Sequence, residues 1–222
     1  MRVYSLLFLF VLSSCAITPP VSRPELKEVR NVATRKNLCS AMFVQEACQL
    51  VHSIKFTMAN GYGATLLGVI IIDGGKIKAT LMGVEGFVLF AADQGVNNKI
   101  TVHKSLAPFD KPEFAKGLMR DVRTLFVVPE YAELIMGETE NKETLCRYVE
   151  GEGRVIDVSL AKKGYSRISI YDKEGKRERL IRAEKYKLVE GLSLAESIEL
   201  TSFGVGAYTL QLNLLRAEKS QL

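Results

Sequence analysis

No apolar run in this sequence is long enough to cross a bilayer. The stretch from Leu6 to Leu12 (LLFLFVL) falls far short of the roughly 18–20 apolar residues that a spanning helix needs, so a transmembrane helix is the poorer reading. Histidine is scarce: His52 and His103 are the only two. There is no CxxC or HxxxH pair of the kind a zinc site uses, and no G-x-S-x-G or H-E-x-x-H pattern to frame a nucleophile or a catalytic metal. Basic residues are scattered, and their one dense stretch, Lys173-Glu174-Gly175-Lys176-Arg177-Glu178-Arg179, is interleaved with acids. A nucleic-acid platform would instead show a basic stripe with stacking aromatics. The expectation is therefore no enzyme, no metal, no cofactor and no nucleic-acid partner. His52 falls on the apolar parity of its segment and reads as structural, while His103 reads as solvated. Gly61-Tyr62-Gly63 and Gly204-Val205-Gly206 look like dinucleotide loops only superficially. No helix follows them to present its N-terminus to a phosphate, so they read as turns.

What is present begins at the N-terminus. Arg2, the short apolar core and Leu12-Ser13-Ser14-Cys15 follow one another in the order of an export signal. The last four residues resemble the bacterial lipobox, in which the signal is cut before the cysteine and that residue is lipidated. This implies a signal peptide over 1–14 and a lipid anchor at Cys15, the alternative being an ordinary cleaved signal. Two or three acyl chains make such an anchor stable where one is marginal. Ala16 stands where an Asp would retain a lipoprotein in the inner membrane under the enterobacterial rule, which by resemblance favours the outer membrane. Thr18-Pro19-Pro20 cannot join a regular helix and reads as tether. Residues 15–38 are expected to form a tether and a short helix, with Ser22-x-x-Glu25 as its capping box.

Without residues 1–14 the chain keeps 208 residues and a formal charge of +4, enough for one domain over 39–222. Cys39, Cys48 and Cys146 allow one disulfide and one free thiol in an oxidising compartment, with the pair left open by the sequence.

From His52 the period is two: His52, Ile54, Phe56 and Met58 alternate with Ser53, Lys55 and Thr57, the mark of a half-buried strand. Gly63 to Asp73 is apolar on both faces, and Asp73-Gly74-Gly75-Lys76 supplies a hairpin turn. Ile77, Ala79 and Leu81, then Phe87 to Ala92, then Ile100 and Val102 continue the meander. One helix interrupts it. Asp110 is its expected cap, Pro112 and Glu113 open it, and Pro129 ends it. Phe114, Leu118, Val122, Leu125 and Phe126 make its apolar stripe. A second short helix is expected around Tyr131 to Met136. Strands return with Ile156 to Leu160, Ile168 and Ile170, a charged strand through Ala183, Glu196 to Ser202 and Ala207 to Leu215. The fold class is α+β and mainly antiparallel β: a curved incomplete barrel of about ten strands, wrapped around or lidded by one to three helices.

The lipobox, the meander, the proline-ended helix and the closing strand Tyr208-Thr209-Leu210-Gln211-Leu212 together resemble the LolA/LolB-like lipoprotein carriers. Leu81-Met82-Gly83-Val84-Glu85-Gly86-Phe87-Val88-Leu89 is similar to a strand–loop–strand of that group. Leu106-Ala107-Pro108-Phe109-Asp110, with Phe114-Ala115-x-Gly117-Leu118-x-x-Asp121, resembles an uncharacterised lipoprotein family of similar build. The resemblance spans most of 40–215. It implies an apolar cavity for acyl chains, lined by Ile54, Phe56, Met58, Ile77, Leu81, Phe114, Leu118, Phe126, Ile168, Ile170, Leu210 and Leu212. It also implies a membrane-facing loop with Val84 and Phe87. Glu85 at the tip departs from the apolar residue of LolB-like receptors and would resist an anionic bilayer. The implied function is binding of lipid or lipoprotein acyl chains, with a role in lipid or lipoprotein transport or outer-membrane assembly. The alternative is a non-catalytic scaffold with a filled core that docks envelope proteins. The expected place is the bacterial envelope, lipid-anchored, at the outer membrane and facing the periplasm.

Overall fold

The computed structural model describes residues 22–28, 38–160 and 164–220. The signal peptide, Cys15, Ala16 and the Thr18-Pro19-Pro20 tether lie outside the described residues. Among the described residues thirteen strands form one antiparallel sheet. They are β1 (Lys27–Glu28), β2 (Cys48–Met58), β3 (Gly63–Asp73), β4 (Lys76–Met82), β5 (Val88–Gln94), β6 (Ile100–Ser105), β7 (Glu133–Glu138), β8 (Thr144–Val149), β9 (Val155–Leu160), β10 (Tyr165–Tyr171), β11 (Arg177–Val189), β12 (Leu192–Ser202) and β13 (Tyr208–Lys219). Their spatial order is β1-β7-β8-β9-β10-β11-β12-β13-β2-β3-β4-β5-β6, with the edges β1 and β6 unjoined. The sheet is thus an open, curved barrel, and α1 (Pro112–Phe126) packs on its concave face.

The period-two segments became strands because each has one apolar face to bury. Along β2, Cys48, Leu50, His52 and Ile54 are buried while their neighbours are not. The β3–β4 hairpin turns at Gly74 and Gly75, with φ of 53° and 80°, a conformation open to glycine without steric cost.

Five expectations need correction. Tyr131 to Met136 is not helical: β7 occupies most of it, because β8 offers a pairing partner from Glu133↔Val149 to Glu138↔Thr144. The hydrophobic cluster Leu134-Ile135-Met136 had suited either element. Ser22-x-x-Glu25 opens no helix. Instead Ser22 bridges Lys176, and Lys27 and Glu28 pair with Glu138 and Gly137. A Cβ on Gly137 would stand 2.8 Å from Lys27 O, so glycine is what admits this close approach. Asp110 does not cap α1. The N-cap is Lys111, extended at φ −81° and ψ 134° with no side-chain cap bond, because a residue before proline is driven out of the helical region. Among the described residues the strands number thirteen, against about ten expected; the short β1, β7 and β8 carried no clear alternation. Finally, β11 to β13 run longer than their apolar patterns, because pairing with a neighbour extends strands through polar residues.

Residues 22–28 cross the convex face of β7 to β11. Arg147 there makes a two-pronged contact with Asp157 at 2.7 Å through both nitrogens, and its Nη2 also donates to Pro24 O at 2.8 Å. Asp157, Ser169 and Tyr171, on the polar side of their strands, are also buried. The structure also selects the cysteine pair. Cys39 is bonded to Cys146, and Cys48 is free and buried, its thiol pushed up to about 11 by burial. The disulfide ties the irregular segment after Cys39 to β8, and Val44 N–H donates to Phe126 O at the end of α1.

Candidate functional site: the concave face under α1

The inward residues of β2 and β13 lie side by side: His52 pairs with Leu214, Ile54 with Leu212, Phe56 with Leu210 and Met58 with Tyr208. Exposure rises along the β2 row, while on β13 Leu212 is buried and Leu214, Leu210 and Tyr208 are half-buried. Leu50, His52 and Ile54 are 0%, 1% and 8% exposed, Phe56 and Met58 are half-buried, and the turns beyond are open. Tyr62 is 63% exposed and Val205 fully so, with Phe203 beside it on the same β12–β13 turn. The register places these turns together, since Tyr208 meets Met58 and Thr57 meets Gly63. An apolar track therefore runs from the closed interior to an apolar rim. The β4–β5 turn, where Leu67 meets Met82, adds Val84 and Phe87, 61% and 74% exposed, with Glu85 also exposed.

At the His52 end of the row a void of about 30 Å³ remains between α1 and the sheet. Its wall is mostly aliphatic, from Met42, Val44, Leu50, Leu125, Ile181, Leu194, Ile198 and Leu214, together with Phe126, Ile168 and Ala183. A local irregularity shapes it: Lys185, at φ 56°, is skipped in the β11–β12 ladder with the register unbroken on either side, and Tyr186 joins Ala183 on the void side. His52 lines the void with its ring 5.7 Å from that of Phe126, and its Nδ1 has no hydrogen-bond partner. Burial pulls its pKa down to about 4, so the ring is neutral near pH 7.

Beyond the void the face carries a buried ion pair. Arg179 Nε lies 2.8 Å from Asp121 Oδ1, and Tyr208 Oη donates to Asp121 Oδ2. The Nε contact is one of charge without a directional hydrogen bond. Burial pulls the Arg179 pKa down, but Asp121, Tyr208 and Glu178 more than offset it and hold it above the ordinary value. Burial and then the Asp121 carboxylate push Tyr208 up to about 12, against the opposing guanidinium. This trio ties α1 to β11 and β13.

A larger space lies elsewhere: a polar cleft of about 580 Å³ between the middle and end of α1, the 129–132 segment and the β8–β9 turn. Its charges balance. Arg154 binds Glu150, Asn98 binds Glu130, and Arg123 is spent on Gln94 and the carbonyls of Gly75 and Gly95. Such a wall suits water rather than a chain of methylenes, so size alone does not make it the site.

Of the twelve residues expected to line a cavity, Phe126 and Ile168 border the void. Ile54, Ile77, Leu81, Ile170 and Leu212 are packed into the core, and Phe114, Leu118 and Leu210 lie half-buried against it. Phe56 and Met58 stand outside that cluster on the half-covered part of the track, Phe56 with its ring 5.8 Å from that of Tyr208. Sequence reasoning missed Leu50 and Leu214, although both share the parity of residues it had named. It had no signal for Met42 and Val44, which lie in an irregular segment. His103 is exposed and stands 3.0 Å from Asp93 on the neighbouring strand. Among the described residues no helix is long and apolar enough to cross a membrane.

No protein-family model matches the sequence, and the search of curated proteins gives no match. Among solved structures, the fold is similar to that of a Vibrio parahaemolyticus domain provisionally described as an outer membrane lipoprotein-sorting protein. The two share 11% identity and a TM-score of 0.53 over 85% of this chain and 92% of that one. The fold is LolA/LolB-like. A LolA superfamily protein from Nitrosomonas europaea has 11% identity and a TM-score of 0.49, over 84% of this chain and 92% of its own. A DUF1329 family protein from Desulfovibrio piger has 9% identity and a TM-score of 0.49, over 85% and 90%. At such identities the likeness is one of fold alone.

Proposed function

We propose that this LolA/LolB-like protein is an envelope lipoprotein that holds an acyl chain along the concave track between β2 and β13. The single observation that carries the reading is the gradient of exposure from His52 and Ile54, through Phe56 and Leu210, to Tyr62 and Val205. A closed core has no need of an apolar face that runs out to its rim. A carrier needs one, because each Å² of apolar area withdrawn from water stabilises a bound chain by about 25 cal/mol. No step of this function requires catalysis, so the protein acts as a binder and not as an enzyme. The lipoprotein-sorting description of the Vibrio domain accords with the same reading. So does a Cys39–Cys146 disulfide, which suits an oxidising compartment.

In this reading Cys15 is lipidated and tethers the domain to the outer membrane, with the rim of Tyr62, Val84, Phe87 and Val205 towards lipid. Cys15→Ser should then release the protein from the membrane fraction. A competing reading, a filled scaffold that docks envelope proteins, draws on the void of about 30 Å³, far below the roughly 300 Å³ at which ligand pockets begin. In the carrier reading, α1 and the segment after Cys39 move to admit the chain. Native mass spectrometry of the Cys15→Ser protein, purified without detergent, separates the two. A co-purifying lipid mass and uptake of a pyrene-labelled phospholipid support the carrier. A clean apo mass with no uptake leaves the scaffold.

A further inference from the structure

We infer that His52 is the polar anchor of the site, donating a hydrogen bond from its unpartnered ring nitrogen to the carbonyl oxygen of a neutral acyl ester. This rests on the acyl-binding reading above and adds the chemical class of the ligand. His52 is 1% exposed, lines the void, and leaves Nδ1 without a partner. A buried polar atom left in this state is costly, and the ring that carries it lines the void, where a ligand could satisfy it. The remaining polar groups at the void are Ser166, Tyr186 and Ser193, and the first two already hydrogen-bond each other. No Lys, Arg, Asp or Glu lines it.

That composition selects among oxygen-bearing ligands. A carboxylate would enter an apolar wall with no cation to balance it, which is strongly unfavourable. An ester carbonyl brings an acceptor without charge and matches a neutral imidazole donor. The void, with room for no more than one or two water molecules, fits the carbonyl. The chain itself displaces Met42 and Leu214 and lies along the track. Ser193 is exposed and Tyr186 and Leu214 are half-buried, so the wall reaches solvent on this side.

The test uses full-length chain carrying Cys15→Ser, so that no covalent acyl group competes. Three probes of equal chain length, methyl myristate, tetradecane and myristate, are delivered from β-cyclodextrin and followed by calorimetry. Methyl myristate should bind about five- to tenfold more tightly than tetradecane, the worth of one buried hydrogen bond, with myristate weakest at pH 7. In His52→Phe the ester and the alkane should bind alike, and His52→Gln, which keeps an N–H donor, should restore part of the preference. Should a variant misfold, the wild-type ring nitrogen resonances report independently and should shift with methyl myristate but not with tetradecane. Equal binding of ester and alkane to the wild type, or ring nitrogens blind to the ester, overturns the role of His52 and leaves the carrier standing. Failure of every probe to bind overturns the acyl reading itself.

Discussion

Asp121→Asn should destabilise this protein more than most single substitutions. The carboxylate is 3% exposed and stands between Arg179, itself 7% exposed, and the hydroxyl of Tyr208. Neutralising it leaves the Arg179 cation buried on the concave face without its counter-charge, at a cost of about 3–5 kcal/mol. For a domain of this size that corresponds to a fall in Tm on the order of 10 °C. Arg179→Met should cost a similar amount by stranding the carboxylate. Tyr208→Phe removes a single hydrogen bond to a charged acceptor and should cost about 1.5–3 kcal/mol. The double variant Asp121→Leu/Arg179→Met is the informative one. Both desolvation penalties vanish together, so its stability should return to within about 1–2 kcal/mol of the wild type. The protein has no tryptophan, so urea unfolding is best followed by far-UV circular dichroism, with the slopes compared to exclude changes in the unfolded state. The reasoning fails if each single substitution costs less than about 1 kcal/mol, or if the double variant is merely the sum of the two.

Two further outcomes follow from the same geometry. His52 has a folded pKa of about 4 against an ordinary 6.5, so the unfolded chain binds more protons between those values and stability must fall with acid through that window. The loss should approach about 3 kcal/mol near pH 4, and a denaturation series on His52→Phe that keeps the same acid limb would contradict it. Replacing the Cys39–Cys146 disulfide by serines frees a loop with a sequence separation of 107. By loop entropy this should cost about 4–5 kcal/mol, measured as the drop in urea midpoint relative to the oxidised protein; a shift under about 1 kcal/mol would show that the unfolded chain is constrained by other means.

The alternation of His52, Ile54, Phe56 and Met58, and of Tyr208, Leu210 and Leu212, determined by itself that these segments are strands with one apolar face. A side-chain period of two admits no other regular element, and a one-residue slip would expose the whole set. Pro112 and the stripe through Val122 and Phe126 likewise fixed a helix between two strand groups. Local pattern could not determine which of those faces closes and which stays half-open. Phe56 and Ile54 are indistinguishable in sequence, yet one is buried in the core and the other stands half-covered at the edge of the track. Nor could it choose among three cysteines, foresee that Asp121 would meet Arg179 and Tyr208, or separate β7 from a short helix. Each of those outcomes depends on a partner far away in the chain, and burial and pairing are properties of the assembled sheet.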